Sequence, residues 1–192
     1  MQNSTEIAST RLIHSRTATA RDPLPHFDAT LPRELRQSPE GSIYEWRPDT
    51  IAFEIARRVR TDGVALIIDY GHARHGLGET LQAVAGHSFT HPLRSPGRAD
   101  LTAHVDFAAF AHSAEVIGGR IHGPISQCDF LVRLGLARRA AALKARASAE
   151  KASEIDQAVS RLIAADPGGM GALFKVLGIT DPRLGPLPGF EN

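Results

Sequence analysis

Gly63-Val64-Ala65-Leu66-Ile67-Ile68-Asp69-Tyr70-Gly71 is the stretch on which the fold turns. Val64 to Ile68 is an unbroken apolar run, short for a helix and rich in β-branched residues. A half-wet strand alternates apolar with polar residues, and this run does not. It predicts a strand covered on both faces, as in a parallel α/β sheet. At its carboxyl end stands one acid, Asp69, then Tyr70 and Gly71. Open α/β sheets take their ligands in the crevice beyond the carboxyl ends of the strands. Asp69 is therefore a candidate site residue. An acid there is equally suited to capping the next turn, and the run alone leaves both roles open.

Upstream, Arg47-Pro48-Asp49 predicts a helix start, with proline tolerated in the first turn and an acid near the positive end of the dipole. Ile51, Ala52, Ile55, Ala56 and Val59 make one apolar face at helical spacing. Arg57, Arg58 and Arg60 are solvated charges near the helix C-terminus. Asp62-Gly63 then turns the chain into the strand. Ser42 to Trp46 reads as a further short strand. Residues 1–40 are polar and broken by Pro23, Pro25, Pro32 and Pro39. They predict an irregular N-terminal segment, with a short strand near Thr10 to His14, ahead of an organised domain over residues 41–192.

Downstream, His72 to about Leu101 is a long connection with Gly76, Gly78, Gly86, Pro92, Pro96 and Gly97. Irregular links of this length are uncommon in compact domains and often functional. Asp106 suits the N-cap of a helix from Phe107 to about Val116, with Phe107, Phe110, Ala111 and Ala114 facing the core. After Gly118-Gly119, Arg120 to Ile125 predicts a short strand. Ser126 then caps another helix, with Asp129 as the acid of a capping box. Leu134-Gly135 interrupts it, residues 137–165 predict alanine-rich helices, and Asp166-Pro167-Gly168-Gly169 ends them. A last strand is expected over Ala172 to Ile179, and a tail from Pro182.

The 192 residues suffice for one domain with a real core, and a hydrophobic content of 42% is that of a globular chain. A net charge of +1 speaks against a strongly basic nucleic-acid grip. Cys128 is the single cysteine, so no internal disulfide forms. No window approaches the roughly 18 apolar residues of a membrane span. Arg11, Arg16 and Arg21 among many Ser and Thr give the first residues a faint transit-peptide flavour. The apolar face that such a peptide needs is thin, so a displaced segment is expected instead.

Seven of nine histidines lie between His72 and His122. A metal site is one reading, but Pro92 and the glycines spoil a helical register, and no His-Glu-x-x-His or paired cysteine occurs. Loop histidines account for most of the cluster. Asp100 to Asp106 alternates, so an extended chain puts Asp100, Thr102, His104 and Asp106 on one face. That face offers acid-base chemistry or a grip on a cation; caps and turns explain the same residues. Gly76-Leu77-Gly78-Glu79 lacks the strand before it and the third glycine of a dinucleotide loop.

Leu66-Ile67-Ile68-Asp69-Tyr70-Gly71-His72, followed by Glu79-Thr80-Leu81-Gln82-Ala83, resembles the MidA-type family of class I S-adenosylmethionine-dependent methyltransferases. Gly41-Ser42-Ile43-Tyr44-Glu45, His87, Pro96 to Phe107, Gly123-Pro124-Ile125-Ser126-Gln127, Phe130-Leu131, Met170 to Leu177 and Pro188-Gly189-Phe190 continue the resemblance in order. It runs from about Gly41 to the end and matches only the C-terminal half of such proteins. The glycine-rich turn after the first strand and the acid after the second, which hold S-adenosylmethionine in the family, are not visible. The resemblance implies an α/β Rossmann-like sheet whose fifth strand is Val64 to Ile68, with sixth and seventh strands near Ile121 and Leu173. A sheet without its first four strands exposes a long edge and an uncovered apolar face, and the chain is then a truncated product, a piece completed by another chain, or a fold adapted to do without that half.

What the resemblance implies about activity is protein-arginine methylation linked to assembly of respiratory complex I, with S-adenosylmethionine as cofactor. The partner would be a protein substrate, a complex I subunit among the candidates, with no nucleic acid, no membrane and a homo-oligomer allowed. The expected compartment is a bacterial cytoplasm or, alternatively, the mitochondrial matrix. Carboxylates must hold and orient a guanidinium, since its nitrogen is a poor nucleophile until positioned. Asp69 and Glu45 are the first candidates for that clamp and Asp100 the next, with Tyr70 and His72 lining the same mouth. The alternative from another class is a non-catalytic remnant acting as an assembly or interaction module.

Overall fold

The computed structural model describes residues 31–94, 96–166 and 168–191, so the strand expected near Thr10 to His14 and most of the segment 1–40 lie outside the described residues. The chain divides into two compact units: one takes residues up to Pro48 with His75–His104, the other Asp49–Arg74 with Val105–Asn192.

The second unit is built on α1 (Thr50–Val59), β1 (Val64–His72), β5 (Val105–Asp106), α2 (Phe107–Val116), β6 (Arg120–Ser126) and β7 (Phe174–Thr180). The sheet order is β5-β1-β7-β6, with β7 antiparallel to both neighbours and β5 parallel to β1. The strands expected at Ile121 and Leu173 thus share one mixed α/β sheet with β1. Ala56, Val59, Phe107, Ala111 and Ala114 of α1 and α2 close on Leu177 and Ile179, and Ala65 and Ile67 of β1 pack against that cluster. Three further helices, α3 (Gln127–Arg133), α4 (Leu136–Lys144) and α5 (Ala149–Ile163), and a short α6 (Met170–Leu173) lie between β6 and β7. Their starts are chemical. The Ser126 hydroxyl accepts from the Asp129 amide at 3.0 Å and Ser148 from Lys151 at 3.3 Å, each satisfying an otherwise unpaired first-turn donor.

The expectation of cover on both faces of β1 is corrected. Val64, Leu66, Ile68 and Tyr70 are 53%, 48%, 45% and 36% exposed, while the intervening residues face the core. The physical reason is that α1 and α2 cover one face only. On the other face the C-terminal segment reaches β7, where Leu187 and Phe190 approach Gly178 and leave Val176 and Thr180 fully buried. That cover stops short of β1.

The turn into β1 is held from the far end of the chain. Asp181, 1% exposed, accepts from the Asp62 amide at 3.1 Å and from the Arg183 amide and guanidinium at 2.7–3.0 Å. The Arg183 side-chain hydrogen bonds, then its backbone bond, hold this carboxyl well below the usual carboxylate range. A depressed acid contributes stability above its ordinary pKa of about 3.9 and loses it as pH falls toward the folded value. Asp181→Asn is therefore expected to lower stability at pH 7 and to flatten the decline below about pH 4. Urea midpoints measured at stepped pH check this; a variant curve parallel to that of the parent would refute it.

In the first unit, the long connection after His72 is not irregular throughout. β2 (Gln82–Ala85), β3 (Ser88–Thr90) and β4 (Asp100–Thr102) form an antiparallel sheet ordered β3-β2-β4. Gly86 and His87, both at positive φ, make the two-residue hairpin turn between β2 and β3. The strand expected over Ser42 to Trp46 is not formed: that stretch joins no sheet ladder, and the Gly78 amide donates to the Ile43 carbonyl at 2.9 Å.

Candidate functional site

Within the second unit the carboxyl end of β1 gathers Asp69, Tyr70 and His72. The pleat divides them. Asp69 shares the face of Ala65 and Ile67, whereas Tyr70 and His72 share the opposite face. The Asp69 carboxylate accepts from the Tyr70 amide at 2.8 Å. Its partner across the ladder is Lys175, whose ammonium is bound instead to the carbonyls of Ala172 and Leu173 and whose pKa is pulled below the ordinary lysine value by burial. Tyr70 packs on Phe174 with ring centroids 4.6 Å apart.

His72 has a partner, Asp106, that the sequence offered as a helix cap or as part of the alternating face from Asp100 to Asp106, but not as a neighbour of His72. Gly71 and His72 pair with Val105 and Asp106 in parallel register, which brings His72 Nε2 to 3.6 Å from Asp106 Oδ2. The Asp106 side chain is 8% exposed, and its other oxygen accepts from the Ala109 amide at 2.9 Å as the N-cap of α2. One carboxylate thus starts a helix and faces an imidazole that is 33% exposed. Alternation over Asp100 to Asp106 hinted at Asp106, but only strand pairing identifies His72 as its neighbour. The face expected to carry Asp100, Thr102, His104 and Asp106 together is broken, since β4 ends at Thr102 and β5 begins at Val105.

Glu45 and Asp100 belong to the first unit. Glu45 Oε1 accepts from the amides of Thr80 and Leu81 at 3.0 and 3.1 Å, and Oε2 bonds the Thr80 hydroxyl and meets the Arg47 guanidinium at 3.4 Å. Thr80 Oγ1 also accepts from the His104 amide at 2.9 Å. This carboxylate fastens the loop before β2 and already receives one guanidinium. Asp100 lies exposed on β4 opposite Val84. Of the remaining histidines, His122 is buried against Thr180 at 3.2 Å and Phe190, with its pKa lowered by burial and by the Arg120 charge. No group of three or more His, Cys, Asp or Glu placed to hold a metal occurs among the described residues. No described helix is long and apolar enough to cross a membrane.

Residues 2–125 match a family model described as "Putative S-adenosyl-L-methionine-dependent methyltransferase". The mitochondrial protein arginine methyltransferase NDUFAF7 homolog of Drosophila melanogaster is 38% identical over 173 residues, covering 88% of this chain and 37% of the relative. The Caenorhabditis elegans homolog is 32% identical over 119 residues, covering 59% of this chain and 27% of that relative. A crystal structure of an uncharacterized superfamily protein from Burkholderia thailandensis superposes with a TM-score of 0.63 at 28% identity, over 74% of this chain and 39% of that one. A second superfamily member from that organism, bound to S-adenosyl-homocysteine, gives 0.60 at 27% identity, over 74% of this chain and 38% of its own. The chain spans little more than a third of the length of the Drosophila relative. The family model covers well over half of these residues, and the motifs from Leu66 to His72 and Pro96 to Phe107 fall inside it, so this chain belongs to that methyltransferase family, of the MidA type.

Proposed function

We propose that this chain provides the substrate-side part of a protein-arginine methyltransferase that uses S-adenosylmethionine. The observation that carries the proposal is the His72–Asp106 pair at the carboxyl end of β1, beside Asp69 and Tyr70 in sequence. An arginine nitrogen that takes up a methyl group gives up a proton. His72, backed by a buried carboxylate, is suited to receive it. Asp69 is proposed to hold the guanidinium by charge-assisted hydrogen bonds, with Tyr70 beside the mouth. Within the first unit, Glu45 and Asp100 are proposed separately as carboxylates able to hold a guanidinium; the contact of Glu45 with Arg47 supports its affinity for one. The relatives' names support a protein substrate, for which a complex I subunit is our proposal, and a mitochondrial location, for which the matrix is our proposal. The Burkholderia structures equally suit a bacterial cytoplasm.

The residues present do not fit the cofactor pocket of such an enzyme. Only β5 and β6 lead directly into helices among the described residues, and neither does so through a glycine turn: Asp106 runs into Phe107, and Ser126 into Gln127. No backbone cradle for the cofactor follows from either. That observation favours a second reading, an assembly or interaction module without its own catalysis. A chimaera in which this chain replaces the matching part of the Burkholderia protein separates the two. S-adenosyl-homocysteine binding, measured by titration calorimetry, reports that the chimaera is folded. Methylarginine formed on a mitochondrial protein extract, detected by mass spectrometry, then supports the enzyme. Binding without methylarginine supports the module. In an active chimaera Asp69→Asn is expected to cut turnover about tenfold, about 1.4 kcal/mol of lost guanidinium positioning. Unchanged turnover removes Asp69 from the site.

A further inference from the structure

The helices between β6 and β7 present two opposite kinds of surface. The outward side of α5 is an ordinary solvated face. Lys151, Glu154, Asp156 and Gln157 are exposed there, both signs of charge are mixed, and Lys151 is bridged to Glu154 at 2.6 Å. The neighbouring surface, from the end of α3 through α4, has none of that mixture. Every exposed residue from Val132 to Arg146 is valine, leucine, alanine or arginine. No acid occurs between Asp129 and Glu150, a span that holds Arg133, Arg138, Arg139, Lys144 and Arg146. Lys144 is neutralised by Asp156 of α5 at 2.6 Å. The four arginines are exposed, and their guanidinium groups have no ion-pair or hydrogen-bond partner among the described residues. Beside them stand Val132, Leu134 and Leu143, exposed at 57%, 47% and 44%. Arg139 and Leu143 are four positions apart on α4 and so share one side of it. The overall charge of +1 conceals this patch: with +5 in that span, the rest of the chain is at −4 (+1 less +5).

We propose that this cationic and apolar face lies on the surface of an anionic phospholipid bilayer. Charge complementarity selects an anionic partner, because unpaired guanidiniums crowded onto one face repel one another until anions neutralise them. The apolar residues then select a bilayer among anions. Leucine and valine set among arginines sink to the boundary of headgroup and acyl chain, while the guanidiniums bind phosphate oxygens. A nucleic acid would strand those apolar side chains against phosphate. The span from Val132 to Arg146 also holds no aromatic residue, so it offers neither a platform for a base nor the anchor on which protein contacts are commonly centred. The attachment is to the surface, for no described helix is long and apolar enough to cross a membrane. Asp69, His72 and the methyl-transfer reading play no part in it.

Flotation of the whole chain with lipid vesicles tests it. Binding is expected to phosphatidylcholine vesicles containing about a third phosphatidylglycerol, and not to phosphatidylcholine alone. It should weaken at least about tenfold between about 0.05 and 0.5 M salt. Arg138→Gln with Arg139→Gln should weaken it about 25-fold, since each basic residue at such a surface contributes about fivefold. Leu143→Asn should weaken it about threefold or more through lost insertion. Lys151→Gln with Arg161→Gln removes the same charge from α5 and should leave binding within about twofold. All these positions are exposed, so circular dichroism should be unchanged in every variant. The lipid and salt comparisons on the parent chain decide independently of any variant. Equal binding to both kinds of vesicle, or to neither, overturns the proposal. So does a loss as large in the α5 pair as in the α4 pair. Binding that Leu143→Asn leaves intact and polyglutamate displaces overturns it in favour of an acidic protein.

Discussion

Gly71→Ala is expected to destabilise the chain by about 3 kcal/mol or more, a large share of the roughly 5–15 kcal/mol that holds a typical domain together. The argument is steric. A Cβ on Gly71 would stand 2.2 Å from the Val105 carbonyl oxygen and 2.9 Å from two ring carbons of Phe107. Neither neighbour can yield cheaply. Val105 is the ladder partner of Gly71, and Phe107, with no exposure at all, begins α2 at the centre of the core. Making room means parting β5 and the start of α2 from β1, which unpacks the cluster formed with Ala56, Leu177 and Ile179. Gly185→Ala is the control: nothing lies within 4 Å of the added atom. It should move the urea midpoint by less than about 0.5 kcal/mol in equivalent stability. Equal midpoints for the two variants would show that the approach of β5 to β1 is looser than these distances require.

Gly71 also shows why part of the fold was legible in the sequence. The apolar run and the turn before it specify a strand directly, because Asp62 takes a positive φ and a Cβ on Gly63 would meet the Val59 Cα at 2.7 Å. Two helices announced themselves through their caps at Asp106 and Ser126, since those side chains satisfy backbone donors locally. The apolar run itself did not announce the exposure of β1; only the resemblance did, because a sheet without its first four strands bares an edge and a face. Composition registers the hydrophobicity that a face carries, whereas burial depends on what covers it. The row of Val64, Leu66, Ile68 and Tyr70 reads like an interior strand although it is exposed. The β2–β3 hairpin was missed for a different reason. Its turn uses His87 at positive φ where Asn or Gly would have signalled it, and its strands are too short for a period to emerge. At the candidate site, Asp69 could be picked out as a strand-end acid. The facing of His72 and Asp106, 34 positions apart, is a consequence of strand pairing and leaves no local trace.

That pairing leads to the second large expectation, made for the methylating chimaera. Asp106→Asn should lower turnover by about 10²-fold and His72→Ala by about 10²–10³-fold, within the usual range for a positioned proton acceptor. The two roles of Asp106 make the experiment selective. Asparagine caps a helix about as well as aspartate, so α2 should keep its start and the Ala109 amide its acceptor. What asparagine removes is the negative charge 3.6 Å from His72 Nε2. A purely structural Asp106 would therefore tolerate asparagine and suffer with alanine, losing about 1 kcal/mol of stability and little else. A positioning Asp106 would lose turnover with asparagine while the urea midpoint stays in place. The double variant completes the case. If Asp106 acts through His72, adding Asp106→Asn to His72→Ala should cost almost nothing further, because groups that act as a unit are not additive. Two losses that multiply would mean independent roles, and Asp106 would then not act through His72.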